Sequence, residues 1–458
     1  MKKIIWILTG IFIFSHLWAY SLQDLKSSVV ENNPEILKLN QEYEQAKLDF
    51  KDAKAGRGPT VDLQVSGTYM LKPLVEPIYL NVAEIIKAID WPGAQAANVN
   101  QHIKIYDGME NTIYTFQLSV MQPLFTWGKL ENAVKLYGQI VEIKQTQIES
   151  MLQQKEVEVE TRFVSLCYLK KILEILEEEK GFAQRMVETS ENAEKSGMLL
   201  HQDVVEARIQ AKELEIAQED VTEQINNQLL ELERTCGIEN LTLEMLELNF
   251  DESKILEILS WDRADTEERA LSGDQLSIKM LTQLKEVNEV AEKIAKGYVN
   301  WKPDLALQAS AGYGGSRLPF AEPNWRRKDD YTATISVGVK TTIWDGGRKL
   351  NDVSRKVSES KIADINKLDA RSTIKQTLSS LWNTAEVCSM KIEYQDLKLE
   401  AVESKISQQE TIFMSGYGSE TDVLSSKIDR CNQQIEKIKQ ELSRAVACLT
   451  IGHLAQSK

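Results

Sequence analysis

The chain has 458 residues, 27% of them charged, with a formal net charge of -15. That acidic balance disfavours nucleic acid as a partner, because phosphate contacts need clustered Lys and Arg. Five cysteines without a CxxC pair or metal spacing, and four histidines without a nucleophile–base motif, argue against an enzyme, and no cofactor or metal is expected.

Residues 1–19 read as a secretory signal: Lys2 and Lys3, an apolar run over 4–17, then Trp18-Ala19. Bulky Leu17 stands where a small residue is preferred, so an uncleaved anchor helix is the alternative, although the run falls short of the ~20 residues that span a bilayer. Loss of Lys2 and Lys3 takes the charge from -15 to -17. No Cys follows the signal, which excludes a lipid anchor there, and no later stretch is apolar enough for a membrane helix.

The rest reads as one pattern used twice. Gly197, Asp203 and Val204 recur as Gly416, Asp422 and Val423, each 219 residues later. The first repeat is placed at 20–238: a helix, strands at about 60–70 and 113–123, and a long helical hairpin turning near 197. An acidic, weakly patterned linker fills 239–261. The second repeat, 262–452, has a helix, strands at about 303–313 and 332–343, and a hairpin turning near 416; 453–458 is a tail.

In the strands, Val61, Leu63, Val65 and Tyr69 alternate with Asp62, Gln64, Ser66 and Thr68. Tyr114, Phe116, Leu118 and Val120 alternate with Thr115, Gln117 and Ser119. Leu305, Leu307, Ala309 and Ala311 answer Ile335, Val337 and Val339 in the second repeat. About ten residues with one apolar and one polar face is the pattern of a transmembrane β-strand. Aromatics near the strand ends, including Phe125, Trp127, Trp301 and Trp344, suit interfacial girdles. Four strands cannot close a barrel, and an open edge cannot sit in lipid, so the protomer must oligomerise. Between strands, 70–112 forms a long loop with a weak helical pattern over 79–90, either a cap over the exterior mouth or an ordinary surface loop. A short loop, 314–330, carries Arg317, Arg326, Arg327 and Lys328.

Residues 348–415 contain neither Gly nor Pro, enough for a helix of roughly 100 Å at 1.5 Å per residue. Ile374, Leu378, Leu381, Ala385, Cys388 and Ile392 on one side of Gly416 follow steps of three and four. Leu424, Ile428, Cys431, Ile435 and Ile438 do so on the other. That spacing is a coiled-coil seam. Cys388 and Cys431 on it read as buried thiols; a Cys388–Cys448 disulfide is the alternative that their similar height allows.

These residues resemble the TolC family of outer-membrane efflux and secretion channels. The resemblance rests on Asn32-Asn33-Pro34-Glu35, Gln122-Pro123-Leu124-Phe125 before Gly128, Ile343-Trp344-Asp345-Gly346-Gly347, and Gly416 six residues before Asp422-Val423-Leu424. It implies an α+β membrane protein: a homotrimer whose four strands per protomer form a 12-stranded outer-membrane β-barrel, continuous with a periplasmic helical barrel. The linker would be equatorial. The function implied is a porin-like, passive exit duct of a tripartite efflux or type I secretion system. It would dock a periplasmic adaptor and an inner-membrane transporter of RND, ABC or MFS type at its periplasmic tip. A periplasmic coiled-coil adaptor or structural protein is the competing reading.

The resemblance also assigns residues. Asp422 matches a carboxylate ring at the periplasmic gate. Ser425 stands where a second acid is usual, Gly418 where a latching base is usual, and Phe413 where a tyrosine is usual, while Glu420 is near enough to supply charge. Gly197, Asp203, Val204, Gly416, Gly418 and Val423 mark the adaptor-docking turns. Asp422 and Asp203 can also be first-turn acids that cap their helices, the reading preferred for Asp203.

Overall fold

The structure, a computed structural model, describes residues 19–72, 75–89, 102–273, 275–299, 302–323 and 330–455. The signal-peptide residues 1–18, Trp301, Arg326, Arg327 and Lys328 lie outside the described residues. No helix among the described residues is long and apolar enough to cross a membrane.

The chain divides into two compact units. One holds the chain up to Lys47, with Gly138–Asn288 and Ser358–Lys458; the other holds Leu48–Tyr137 and Glu289–Val357. In chain order the elements are α1 (Leu22–Asn32), α2 (Pro34–Ala55), β1 (Thr60–Tyr69), β2 (Ile78–Asn81), α3 (Val82–Ala88), β3 (His102–Tyr106) and β4 (Thr112–Phe125). Then come α4 (Lys129–Lys195), α5 (His201–Cys236), a 3-10 turn at Leu243–Met245, α6 (Ser253–Leu259), α7 (Arg263–Ala270) and α8 (Leu276–Gly297). Strands β5 (Asp304–Gly315) and β6 (Tyr331–Lys340) precede α9 (Arg348–Met414) and α10 (Glu420–Ala455).

The helical unit is held by apolar clusters, one within the first repeat and the others crossing between the two. One packs Leu25 and Val29 of α1 and Ile36 of α2 against Phe163 of α4 and Leu229 and Leu232 of α5. Another joins Tyr168 of α4, Ile255 and Ile258 of α6, Trp382 of α9 and Leu449 of α10. Further along, α10 packs on α4 rather than on α9 alone: Leu424 and Ile428 meet Ala183 and Met186, and Ile435 meets Ile172 and Leu176.

Three details differ from the sequence reading. The first helix breaks at Asn33, whose side-chain oxygen accepts from the Glu35 and Ile36 amides while its amide donates to the Thr235 carbonyl. Pro34, lacking an N–H, then opens α2 without losing a bond. The linker is structured, with α6 inside it packed into the core. Helix α10 runs through His453 to Ala455, because His453 bonds to buried Glu160 at 3.1 Å rather than lying in a tail. The cysteines agree with the reading of buried thiols: all five are free, and Cys388 and Cys448 are not joined.

In the second unit the sheet order is β1-β4-β5-β6, all antiparallel. Its register aligns like with like. Leu63 pairs with Leu118, Leu118 with Ala311 and Ala311 with Ala333; Val61, Val120, Ala309 and Ile335 form the next row. The alternate rows are polar: Asp62, Ser119, Ser310 and Thr334, then Gln64, Gln117, Gly312 and Thr332. Ser310 and Thr334 bond through their hydroxyls at 2.7 Å. The apolar rows stay open to the surface, with Leu63 70% and Ile335 82% exposed. In the 70–112 loop, β2 pairs with β3 as a separate two-stranded sheet, and α3 covers only Val82–Ala88 of the weak helical pattern.

Candidate functional site

The two strand-to-helix junctions show what the duplicated motif does. Trp127 and Gly128 have φ of 56° and 77°; Gly346 and Gly347, 219 residues on, have 70° and 84°. Two successive residues in this region turn the chain sharply, which favours glycine. Before them, Asp345 caps α9 by accepting from the Gly347 and Lys349 amides at 3.0 and 3.1 Å. Thr126, its counterpart, accepts from the Leu130 amide at 3.5 Å through its hydroxyl. Trp127 tolerates its backbone because its ring stacks edge-on to Phe125 at 4.9 Å and its N–H donates to the Pro303 carbonyl at 2.8 Å. Phe125, Trp127 and Trp344 are all exposed, Trp344 at 85%.

The turns between the long helices match bond for bond. Gly197 has φ 71° and Gly416 has φ 77°. Met198 N–H donates back to Ala193, and Tyr417 N–H to Ile412, each five residues earlier, so both hairpins close with the same glycine-dependent C-cap. A Cβ at Gly197 or Gly416 would meet nothing within 4 Å, so their glycines serve the backbone angle. Gly418 differs: a Cβ there would lie 3.1 Å from the Ile412 side chain and from the Phe413 amide, which excludes a basic side chain at that site without a shift.

The acids part company. Asp203 accepts from the Leu200 amide at 3.0 Å, closing the first turn of α5. In α10 that task falls to Ser419, whose hydroxyl accepts from the Thr421 amide at 3.2 Å. Asp422 is exposed, and no hydrogen bond or ion pair engages its carboxylate among the described residues. Glu420 is engaged: Arg185 of α4 donates to it at 2.7 Å. Ser425 is exposed one turn beyond Asp422, and Phe413 is 41% exposed.

Val204 and Val423, which mark these turns in the sequence, are buried at 0% and 6% exposure, and Val423 lines the cleft described below. The exposed apolar residues at these turns are Met198, Leu200, Met414 and Tyr417, the last at 91%. Periodicity could not find them because they lie off the seam; their signal was apolar residues beside a turn glycine.

Ion pairs tie the second hairpin to the first. Besides Arg185–Glu420, Arg430 of α10 donates to Glu178 of α4 at 2.6 Å; within the second hairpin, Lys427 meets Glu410 of α9 at 2.8 Å. They border a cleft of about 480 Å³ whose apolar walls include Phe182, Phe413, Met414 and Leu424. Within the first hairpin, the hydrogen bond from Arg208 holds the Glu191 carboxyl below the usual range. There is no group of three metal-ligating side chains among the described residues.

Comparison with known proteins agrees with this geometry. Residues 25–237, the first repeat, match the outer membrane efflux protein family. Over these residues the chain is similar to outer membrane efflux proteins. Over both repeats the fold is shared with solved outer membrane proteins. The outer membrane protein VceC from Vibrio cholerae is 14% identical over 95% of this chain and 96% of its own, with a TM-score of 0.71. The CmeC outer membrane channel of Campylobacter jejuni is 14% identical over 95% of this chain and 85% of its own, at 0.70. A membrane protein from Pseudomonas aeruginosa is 13% identical over 95% and 92%, at 0.74. No curated relative matches the sequence. The family match and the shared fold both point to the outer membrane.

Proposed function

We propose that this protein is the passive exit duct of a tripartite efflux or type I secretion assembly, a homotrimer gated at the turns of its two long hairpins. The observation that carries this reading is the free carboxylate of Asp422 beside a turn whose other acid, Glu420, is already paired. Three copies of one unpaired acid around a narrow opening would favour cations and obstruct anions. Glu420 adds little, since Arg185 neutralises it.

The exposed Met198, Leu200, Met414 and Tyr417 give a periplasmic adaptor apolar anchors at both turns. An inner-membrane transporter of RND, ABC or MFS type would then supply substrate through that adaptor. The adaptor reading of the chain itself loses ground to the sheet: its continuous apolar rows have no use in a soluble coiled-coil protein.

Single-channel conductance in planar bilayers tests the gate, with wild type beside Asp422→Ala. A cation-preferring current that loses its preference in the variant is expected. An unchanged preference would remove Asp422 from the gate while leaving the duct. No current from folded trimers, even after both cross-hairpin ion pairs are cut, would overturn the duct.

A further inference from the structure

Along α4, Ile172, Leu176, Glu179, Ala183 and Met186 follow alternating steps of four and three, the spacing of a packed seam. The other four pack against α10 in the clusters around Ile435, Leu424 and Ile428. Glu179 sits between those clusters, 0% exposed. Neither of its carboxylate oxygens makes a hydrogen bond of full geometry among the described residues, the Asn432 amide offering only a weak contact. A buried ionised carboxylate without partners is strongly disfavoured, so such a group takes up a proton instead.

The surroundings offer no cation to it. From α10 the nearest polar groups are Asn432, Asp429 and the Cys431 thiol. Asp429 is turned to Lys405 of α9 at 3.5 Å, and Arg430 to Glu178. From α5 the residues packed alongside, Ala211, Leu214 and Ala217, are apolar, and the charged pair Lys212–Glu215 is closed on itself at 2.6 Å. On α4 itself, Lys180 donates to Gln218 at 3.2 Å.

We propose that Glu179 is a proton-operated release for the seam between α4 and α10: protonated, it lets the second hairpin pack on the first; ionised, it loosens that packing. Regulation of the gate by this release rests on the gating function proposed above; the release of the seam does not. Burial pushes the Glu179 carboxyl up to about 7; the Asn432 amide offsets part of that and the Asp429 carboxylate adds to it. The packed state therefore holds the proton that a separated, hydrated Glu179 gives up near 4.5. Packing is strongest below that lower value, and weakens as pH rises until the packed form also ionises near 7. Within the window each pH unit can shift the equilibrium up to about tenfold toward separation.

Hydrogen exchange on detergent-solubilised trimers, corrected for intrinsic rates, reads the seam directly. Wild-type protection over 423–436 of α10 should fall several-fold between pH 5 and 7.5. In Glu179→Gln it should stay level and exceed wild type at pH 7.5; Glu179→Leu serves if the amide does not assemble. Equal pH slopes in wild type and variants, or no slope in wild type, would overturn the release. Conductance over the same pH range separates the two readings. A channel indifferent to pH while exchange responds would sink the gating role and leave the seam release standing.

Discussion

Glu160 is the opposite case to Glu179 on the same helix. It is 2% exposed, yet Lys26 and His453 bond to it at 2.7 and 3.1 Å and Lys254 joins them. Burial alone would raise its carboxyl, but the bonds from His453, Lys254 and Lys26 outweigh it and hold the group far below the usual range. One residue thus ties α1, α6 and the end of α10 to α4. Breaking a buried pair leaves uncompensated charge, at about 3–5 kcal/mol. Lys254 is 42% exposed and can swing to water, so Glu160→Gln should cost about 3 kcal/mol, the low end of that range. Thermal melting of the solubilised protein checks it. Because the folded value is lowered, the stabilisation is complete above the unfolded value near 4.5 and is lost as pH falls below it. Wild type should lose melting temperature in acid more steeply than Glu160→Gln; parallel losses would show that the cluster contributes no net pairing.

At the scale of elements the sheet makes the firmest distinction between its faces. Ile335 and Thr334 are neighbours on β6, a strand exposed on both sides in the protomer. Ile335 belongs to the apolar row with Val61, Val120 and Ala309; Thr334 belongs to the polar row and bonds to Ser310. A charge on the lipid face of a membrane barrel costs about 2–4 kcal/mol near the midplane, whereas lumen positions tolerate polarity. Ile335→Arg should lower the dissociation temperature of heat-modifiable trimers, and Thr334→Arg should leave it close to wild type while altering conductance. Equal sensitivity at both positions would mean that the rows do not separate lipid from water.

These strands were legible because a period of two, repeated four times, survives in sequence; the boundaries read from it differ from β1 and β6 by a few residues at most. The hairpin turns were legible for a similar reason, since Gly197 and Gly416 announce a backbone angle. What could not be read was pairing between distant segments. Nothing in the spacing around Arg185 points to Glu420, 235 residues away, and nothing around Glu160 points to His453. The small β2–β3 sheet was also missed, because its strands are short and carry no sustained alternation. The duplicated Val204 and Val423 are repeated at buried positions, which their spacing from the turn glycines does not announce.

For the whole molecule, the question is what keeps the second hairpin on the first when Gly418 supplies no basic side chain. The apolar contacts of Leu424 and Ile428 with Ala183 and Met186 supply the bulk of the contact. Arg185–Glu420 and Arg430–Glu178 fix its register from α10 to α4. Exposed pairs are worth about 0–1 kcal/mol each, and Arg185 is 68% exposed, so one pair alone is a weak restraint. In a trimer it acts three times on one opening, and so a modest loss per protomer becomes visible. Glu420→Arg, which places two cations together, should raise open probability in planar bilayers by several-fold, most clearly at low salt. Adding Arg185→Glu restores opposite charges at the same two positions and should return the channel most of the way to wild type. Recovery in the double variant is the decisive outcome, because a merely misfolded tip would not be rescued by a second charge reversal.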